Sequence, residues 1–158
     1  MNKVISVELS TSGIKELQDK LKERQKWLER KCEELAARLA DMGAVSASLG
    51  FARAIYNGDE DHEVTVEQKG QNCYVVRATG TTVLFVEFGS GLIGYGHPDA
   101  QGFGPGTYPG KGHWDDPGGW YYAHGQHSYG NPPNAPMYNS VKELEQELAR
   151  VVKEVFAD

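Results

Sequence analysis

Val83-Leu84-Phe85-Val86-Glu87-Phe88-Gly89-Ser90-Gly91 ends an apolar run on a carboxylate, an aromatic ring and a glycine turn. Seven apolar-rich residues bounded by turn signals read as a strand, Thr82 to Phe88. Two further strand patterns lie just before it. His62 to Gln68 carries Val64 and Val66 on one face, and Asn72 to Thr79 sets Tyr74 and Val76 opposite Cys73 and Val75. Lys69-Gly70-Gln71 and Gly80 are the turns between them. Turns this short make sequential strands antiparallel neighbours, so the reading is a three-stranded meander.

Helices flank the meander. Ile14, Leu21, Leu28, Leu35 and Met42 recur every seven residues, and Leu17, Cys32 and Leu39 widen the stripe. Ser10-Thr11-Ser12-Gly13 offers N-cap hydroxyls, Glu16 is placed to complete a capping box from Gly13 or to favour the first turn by its charge, and Gly43 fits the C′ stop. This predicts a helix of about 29 residues, with the stripe thinning at Arg24-Gln25. Arg24 and Lys31 break one side of a coiled-coil seam, so the stripe is expected mainly on the protein's own sheet, with a second-subunit contact as the alternative. Ala44 to Tyr56 reads as either a strand or a short helix, and Val4 to Leu9 alternates like a short strand.

Pro136 to Phe156 is the second clear helix. Val141, Leu144, Leu148, Val151, Val152 and Val155 form its apolar face, and Ser140 and Glu143 have capping-box spacing. Leu28, Leu35 and Leu144 are expected to share a core against the meander. The fold class is α+β: a small antiparallel β-sheet (meander) packed by a long N-terminal and a C-terminal helix. Residues 1–158 form a single domain with a long loop, 89–133, inserted.

That loop invites chemistry. Residues 89–130 hold 13 of the 19 glycines and four of the five histidines. Tyr95, Phe103, Tyr108, Trp114, Trp120, Tyr121, Tyr122 and Tyr129 are interleaved with them. Disordered linkers are poor in aromatic rings. A glycine-rich segment this aromatic is expected to order by burying its rings on a partner chain, as interface aromatics do. His124-Gly125-Gln126-His127 has an HxxH spacing, and His113-Trp114-Asp115-Asp116 adds two carboxylates. With no HExxH, no paired CxxC and no helix to fix the geometry, packing or subunit contact is the preferred use of His113, His124 and His127 over a metal site. A hydrolase on His113, Asp115 and Asp116 lacks a nucleophile motif. The loop's glycines lack the GxxxxGK[ST] pattern, which excludes a phosphate-binding loop. No cofactor is expected.

The chain has 158 residues and a formal net charge of −6. An acidic chain is poorly suited to binding nucleic acid through phosphate neutralisation. Cys32 and Cys73 have no partner at metal-ligand spacing and read as small buried hydrophobes in a reducing compartment. No run of about 18 apolar residues is present, so no signal peptide and no membrane span are expected.

Phe85 to Gly91, the following loop with His97-Pro98, and Pro136-Met137 leading into the last helix together resemble a family of tailed-bacteriophage proteins. These are the minor tail components, or tail-completion proteins, of the head–tail neck. The resemblance spans roughly Gly13 to Phe156. It implies a non-enzymatic virion protein assembled in the host bacterial cytoplasm. It also implies a homo-oligomer ring that meets head-completion, tail-terminator or tail-tube proteins. The 89–133 loop is longer than the family pattern, which marks it as a specialised contact surface. Within the motif, Glu87 and Phe88 join the loop aromatics as expected interface residues. Glu87 is expected to cap a turn through the amides of Gly89 or Gly91, to pair with a cation in the next subunit, or to stand as an exposed strand-end carboxylate. The alternatives are a metal-binding phage enzyme using the His/Asp-rich loop, or a monomeric binding module.

Overall fold

A computed structural model describes residues 6–54, 56, 61–91, 93–94, 116, 118–121 and 125–157. It is α+β, with two long helices and small antiparallel ladders. Helix α1 spans Thr11–Ala52 and helix α3 spans Pro136–Val155. Between them lie β1 (Glu63–Gly70), β2 (Cys73–Thr79), the short helix α2 (Val83–Phe88) and four two-residue strands. The latter are β3 (Ser90–Gly91), β4 (Trp120–Tyr121), β5 (His127–Ser128) and β6 (Gly130–Asn131).

Ser10 starts α1 as expected, its hydroxyl accepting from the Gly13 amide at 3.1 Å. Glu16 takes no part in the cap and pairs with Lys20 instead. Residues 6–10 form no strand. The helix is unbroken at Arg24-Gln25, and Gly43 does not stop it. It runs 42 residues, about 63 Å at 1.5 Å per residue, and absorbs most of the segment that reads as strand or short helix.

The reason lies in the partner helix. α3 packs antiparallel on the second half of α1. Trp27 meets Phe156 edge-to-face at 5.8 Å, Arg38 pairs with Glu154, Ser46 bonds Glu143, and Gly50 lies against Pro136. A Cβ on Gly43 would sit 3.0 Å from Leu144 Cδ1, and one on Gly50 would sit 2.8 Å from Pro136 Cβ and 3.1 Å from its Cα. A mid-helix glycine costs about 1 kcal/mol against alanine. Here that cost is offset by close helix approach.

The two sites differ in what they touch. Gly50→Ala meets a proline ring and backbone, so it should destabilise by about 1–3 kcal/mol despite the better helix propensity. Gly43→Ala crowds the tip of a flexible leucine, with Val76 at ordinary contact distance (3.8 Å), and should be neutral to within about 1 kcal/mol. Chemical denaturation of both variants is the check, and equal effects would remove close approach as the reason for Gly50.

β1 and β2 form a hairpin in the register Glu63↔Thr79 to Gly70↔Cys73, with the shift between Gln68 and Gly70. Cys73 is exposed rather than buried, while Tyr74, Val75 and Val76 are half-buried. Glu33 on α1 holds the turn. Its carboxylate accepts from the Tyr74 hydroxyl (2.5 Å), the Asn72 amide (2.6 Å) and Gln68 Nε2 (2.7 Å).

The expected third strand is helix α2, and the meander is a two-stranded hairpin. Asp61 explains the change. Its carboxylate accepts from the amides and hydroxyls of both Thr81 and Thr82 (2.5 to 3.2 Å), immediately ahead of the helix. An apolar run this short fits a buried helix turn as well as a strand. With the start of the run held, Val83, Val86 and Glu87 turn inward and Leu84 outward, a helical rather than alternating pattern.

The hydrogen bonds from Thr81 and Thr82 hold the Asp61 carboxyl well below the usual carboxylate range. The Tyr74 hydroxyl and then the Asn72 amide lower Glu33. A carboxylate whose folded pKa is depressed adds stability above its unfolded pKa and loses it as pH falls towards the folded value. The ordinary values are 3.8 for Asp61 and 4.5 for Glu33, so Tm should fall as pH drops below about 4.5. Asp61→Asn should start lower at pH 7 and lose less between pH 7 and pH 3. A melting series over pH showing parallel curves for both proteins would contradict this.

Phe51, Val83 and Val86 form the buried cluster where α1, α2 and the hairpin meet, with Ala54, Tyr56, Val64, Ala78 and Met137 packed around it. Val151 and Val155 are buried on α3. The expected shared core of Leu28, Leu35 and Leu144 does not form. Leu28 is exposed because α3 ends beside Trp27, and Leu35 and Leu144 are only half-buried. α1 continues about 24 Å beyond Trp27, and there every residue is exposed except Gly13 and half-buried Leu17. Among the described residues no helix is long and apolar enough to cross a membrane.

Candidate functional site

Two of the three segments on which the resemblance was drawn, Phe85–Gly91 and Pro136-Met137, are joined in space. Glu87, the last acidic residue of α2, is 6% exposed. Its carboxylate oxygens accept from the Met137 amide at 2.8 Å and the Tyr138 amide at 3.0 Å. Those are first-turn amides of α3, left without intrahelical partners by helix geometry. Ala135, at the N-cap, has no capping side chain. Glu87 supplies the cap from another helix, and its charge faces the positive end of the α3 dipole.

The backbone continues the joint. The Asn134 amide donates to the Val86 carbonyl (2.9 Å) and the Ala135 amide to the Glu87 carbonyl (3.1 Å). These bonds hold Ala135 in a left-handed conformation, φ 49°, which is costly for a non-glycine residue. Ser140, expected in a capping box, donates instead to the Met137 carbonyl at 2.7 Å.

Glu87 is therefore part of an internal joint. The amides it serves are those of Met137 and Tyr138, within its own chain. Both oxygens accept from backbone amides of α3, which fastens that helix to α2. Phe88 beside it is half-buried.

The glycines after Phe88 follow from crowding. Gly89 (φ 77°) has Gly94 Cα, the Asn131 carbonyl and Pro133 N within 2.8 Å of where a Cβ would stand. Gly91 (φ 62°) has the Tyr129 carbonyl at 2.4 Å. A side chain fits at neither position. β3 and β6 pair as Ser90↔Asn131 and Gly91↔Gly130, and the Ser90 hydroxyl accepts from the buried Asn131 amide at 3.2 Å. The ends of the long loop are thus pinned together beside the Glu87 joint.

Part of the loop lies on this base. Trp120↔Ser128 and Tyr121↔His127 pair as a second ladder. His127 Nε2 is 2.9 Å from the Gly118 carbonyl, and its ring lies edge-on between Tyr121 (4.5 Å) and Tyr129 (4.6 Å). Tyr121 and Tyr129 are exposed and Trp120 is half-buried. Together they present an aromatic surface around one histidine.

Tyr95, Phe103, Tyr108, Trp114, Tyr122, His97, His113, His124 and Asp115 lie outside the described residues. The metal alternative drawn from His113, His124 and His127 rests largely on them. Among the described residues no group of three or more His, Cys, Asp or Glu could hold a metal ion. Sequence reasoning missed Asp61 and Glu33 as fastening residues. The Thr81-Thr82 pair before the apolar run is the local hint of the first, and nothing local marks the second.

No protein-family model, no curated protein and no solved structure matches this chain.

Proposed function

We propose that this chain is a non-enzymatic structural protein of a tailed-phage particle, placed at the head–tail neck or tail end, and that it acts by oligomeric assembly. The observation that carries the reading is the pairing of Phe85–Gly91 with Pro136–Met137, the segments that resemble neck and tail-completion proteins. Glu87 gives that pairing a physical purpose, because it fastens one segment to the amides of the other. A fastened α3 and a loop pinned at its base support a body that offers an aromatic face and an exposed helical arm to neighbours. Its partners in this reading are further copies of itself and head-completion, tail-terminator or tail-tube proteins. Deleting the gene from the phage should leave filled heads and tails that fail to join, or tails with defective ends. Normal infectious particles from the deletion strain would overturn the reading.

A further inference from the structure

The arm of α1 and the outer face of α3 carry matching patterns. On the arm, Leu17, Leu21, Arg24 and Leu28 are spaced four, three and four residues apart, which places them on one stripe. Leu21 is 52% and Leu28 49% exposed. On α3, Val141, Glu145, Leu148 and Val152 repeat the same spacing, with Val141 52% and Leu148 44% exposed. Laid antiparallel, Leu17 meets Val152, Leu21 meets Leu148, Arg24 meets Glu145 and Leu28 meets Val141. The one cation in the arm stripe falls on the one carboxylate in the α3 stripe.

Among the described residues, both charges have local partners. Arg24 lies 3.7 Å over its own Trp27 ring, and Glu145 pairs with Lys142 at 2.9 Å. Exposed contacts of this kind are worth about 1 kcal/mol or less, so they can be exchanged at small cost. Residues 11–30 hold six basic and four acidic side chains in a chain of net charge −6. The arm is thus a positive element on a negative protein. It cannot fold onto its own α3, because α3 already lies along the second half of the same continuous helix. A second copy can reach.

We infer that the α1 arm of one copy docks antiparallel on the Val141–Val152 face of α3 in the next copy. The two faces differ, so the contact is heterologous and propagates from copy to copy, closing into a ring where the rotation allows. This deepens the assembly reading proposed above and rests on it for the ring.

Sedimentation velocity on the intact protein, with circular dichroism confirming that every variant is folded, is the test. Wild type should form concentration-dependent species larger than a dimer. Leu21→Glu and Leu148→Glu should each weaken association at least about thirtyfold, as loss of a central interface residue does. Mixed in equal amounts, they should form a dimer and nothing larger, since each retains the face that the other has lost. Arg24→Glu and Glu145→Arg should each weaken association about tenfold, and the chain carrying both should recover. A monomeric wild type at millimolar concentration would overturn the docking, as would a monomeric mixture. Assembly unchanged in both leucine variants would show that copies meet through another surface, which sinks this contact and leaves the neck assignment to its own deletion test.

Discussion

Glu87→Ala should lower the stability of the isolated protein by about 3 kcal/mol, since a buried carboxylate leaves two first-turn amides without their acceptor. α3 has no side-chain cap of its own to compensate. For a chain of this length, that corresponds to a Tm about 6–12 °C lower. Glu87→Gln keeps the shape and one accepting oxygen but turns an amide donor towards an amide donor. It should cost about 1–2 kcal/mol, between alanine and wild type. Urea unfolding separates the three proteins. A loss below about 0.5 kcal/mol for Glu87→Ala would show that the cap does not hold α3, and the physical link between the two resemblance segments would fall with it.

Phe51→Ala should be the most damaging single change, at about 3–5 kcal/mol, the range for emptying a phenylalanine site in a packed core. Phe51 is 2% exposed, closes the end of α1 over Val83 and Val86, and stacks on His62 at 5.0 Å. The cluster is small, so little can move in to refill the space. Domains are stable by about 5–15 kcal/mol in total, and a loss of this size removes a large part of it. Urea unfolding of Phe51→Ala beside Leu35→Ala makes the contrast. Leu35 is only half-buried and should cost clearly less. Equal losses would place the structural centre along the leucine stripe instead.

These residues show where the sequence was readable. α3 follows from its own periodicity, because its buried valines Val151 and Val155 sit on the stripe that the spacing draws. The start of α1 follows from Ser10, a cap that acts within three residues. The end of α1 does not, since Gly43 carries two local meanings. It can end a helix or let another helix approach, and only Leu144, a hundred residues away, selects the second. The residues from Thr82 to Phe88 fail as a strand for a similar reason. Asp61, twenty residues upstream, fastens the start of the run through Thr81 and Thr82. Glu87 was visible as a residue with a task, but the amides it serves lie fifty residues away. The exposed stripe of the arm read as core because spacing reports which residues share a face, and not whether another element is long enough to cover that face.

Quantitative mass spectrometry of purified phage particles, made by the strain that carries this gene, tests the virion assignment most directly. The assignment predicts the protein in the particles at a fixed low copy number relative to the major capsid protein, in the same ratio from preparation to preparation. Its absence from infectious particles, with abundant protein left in the lysate, would contradict it.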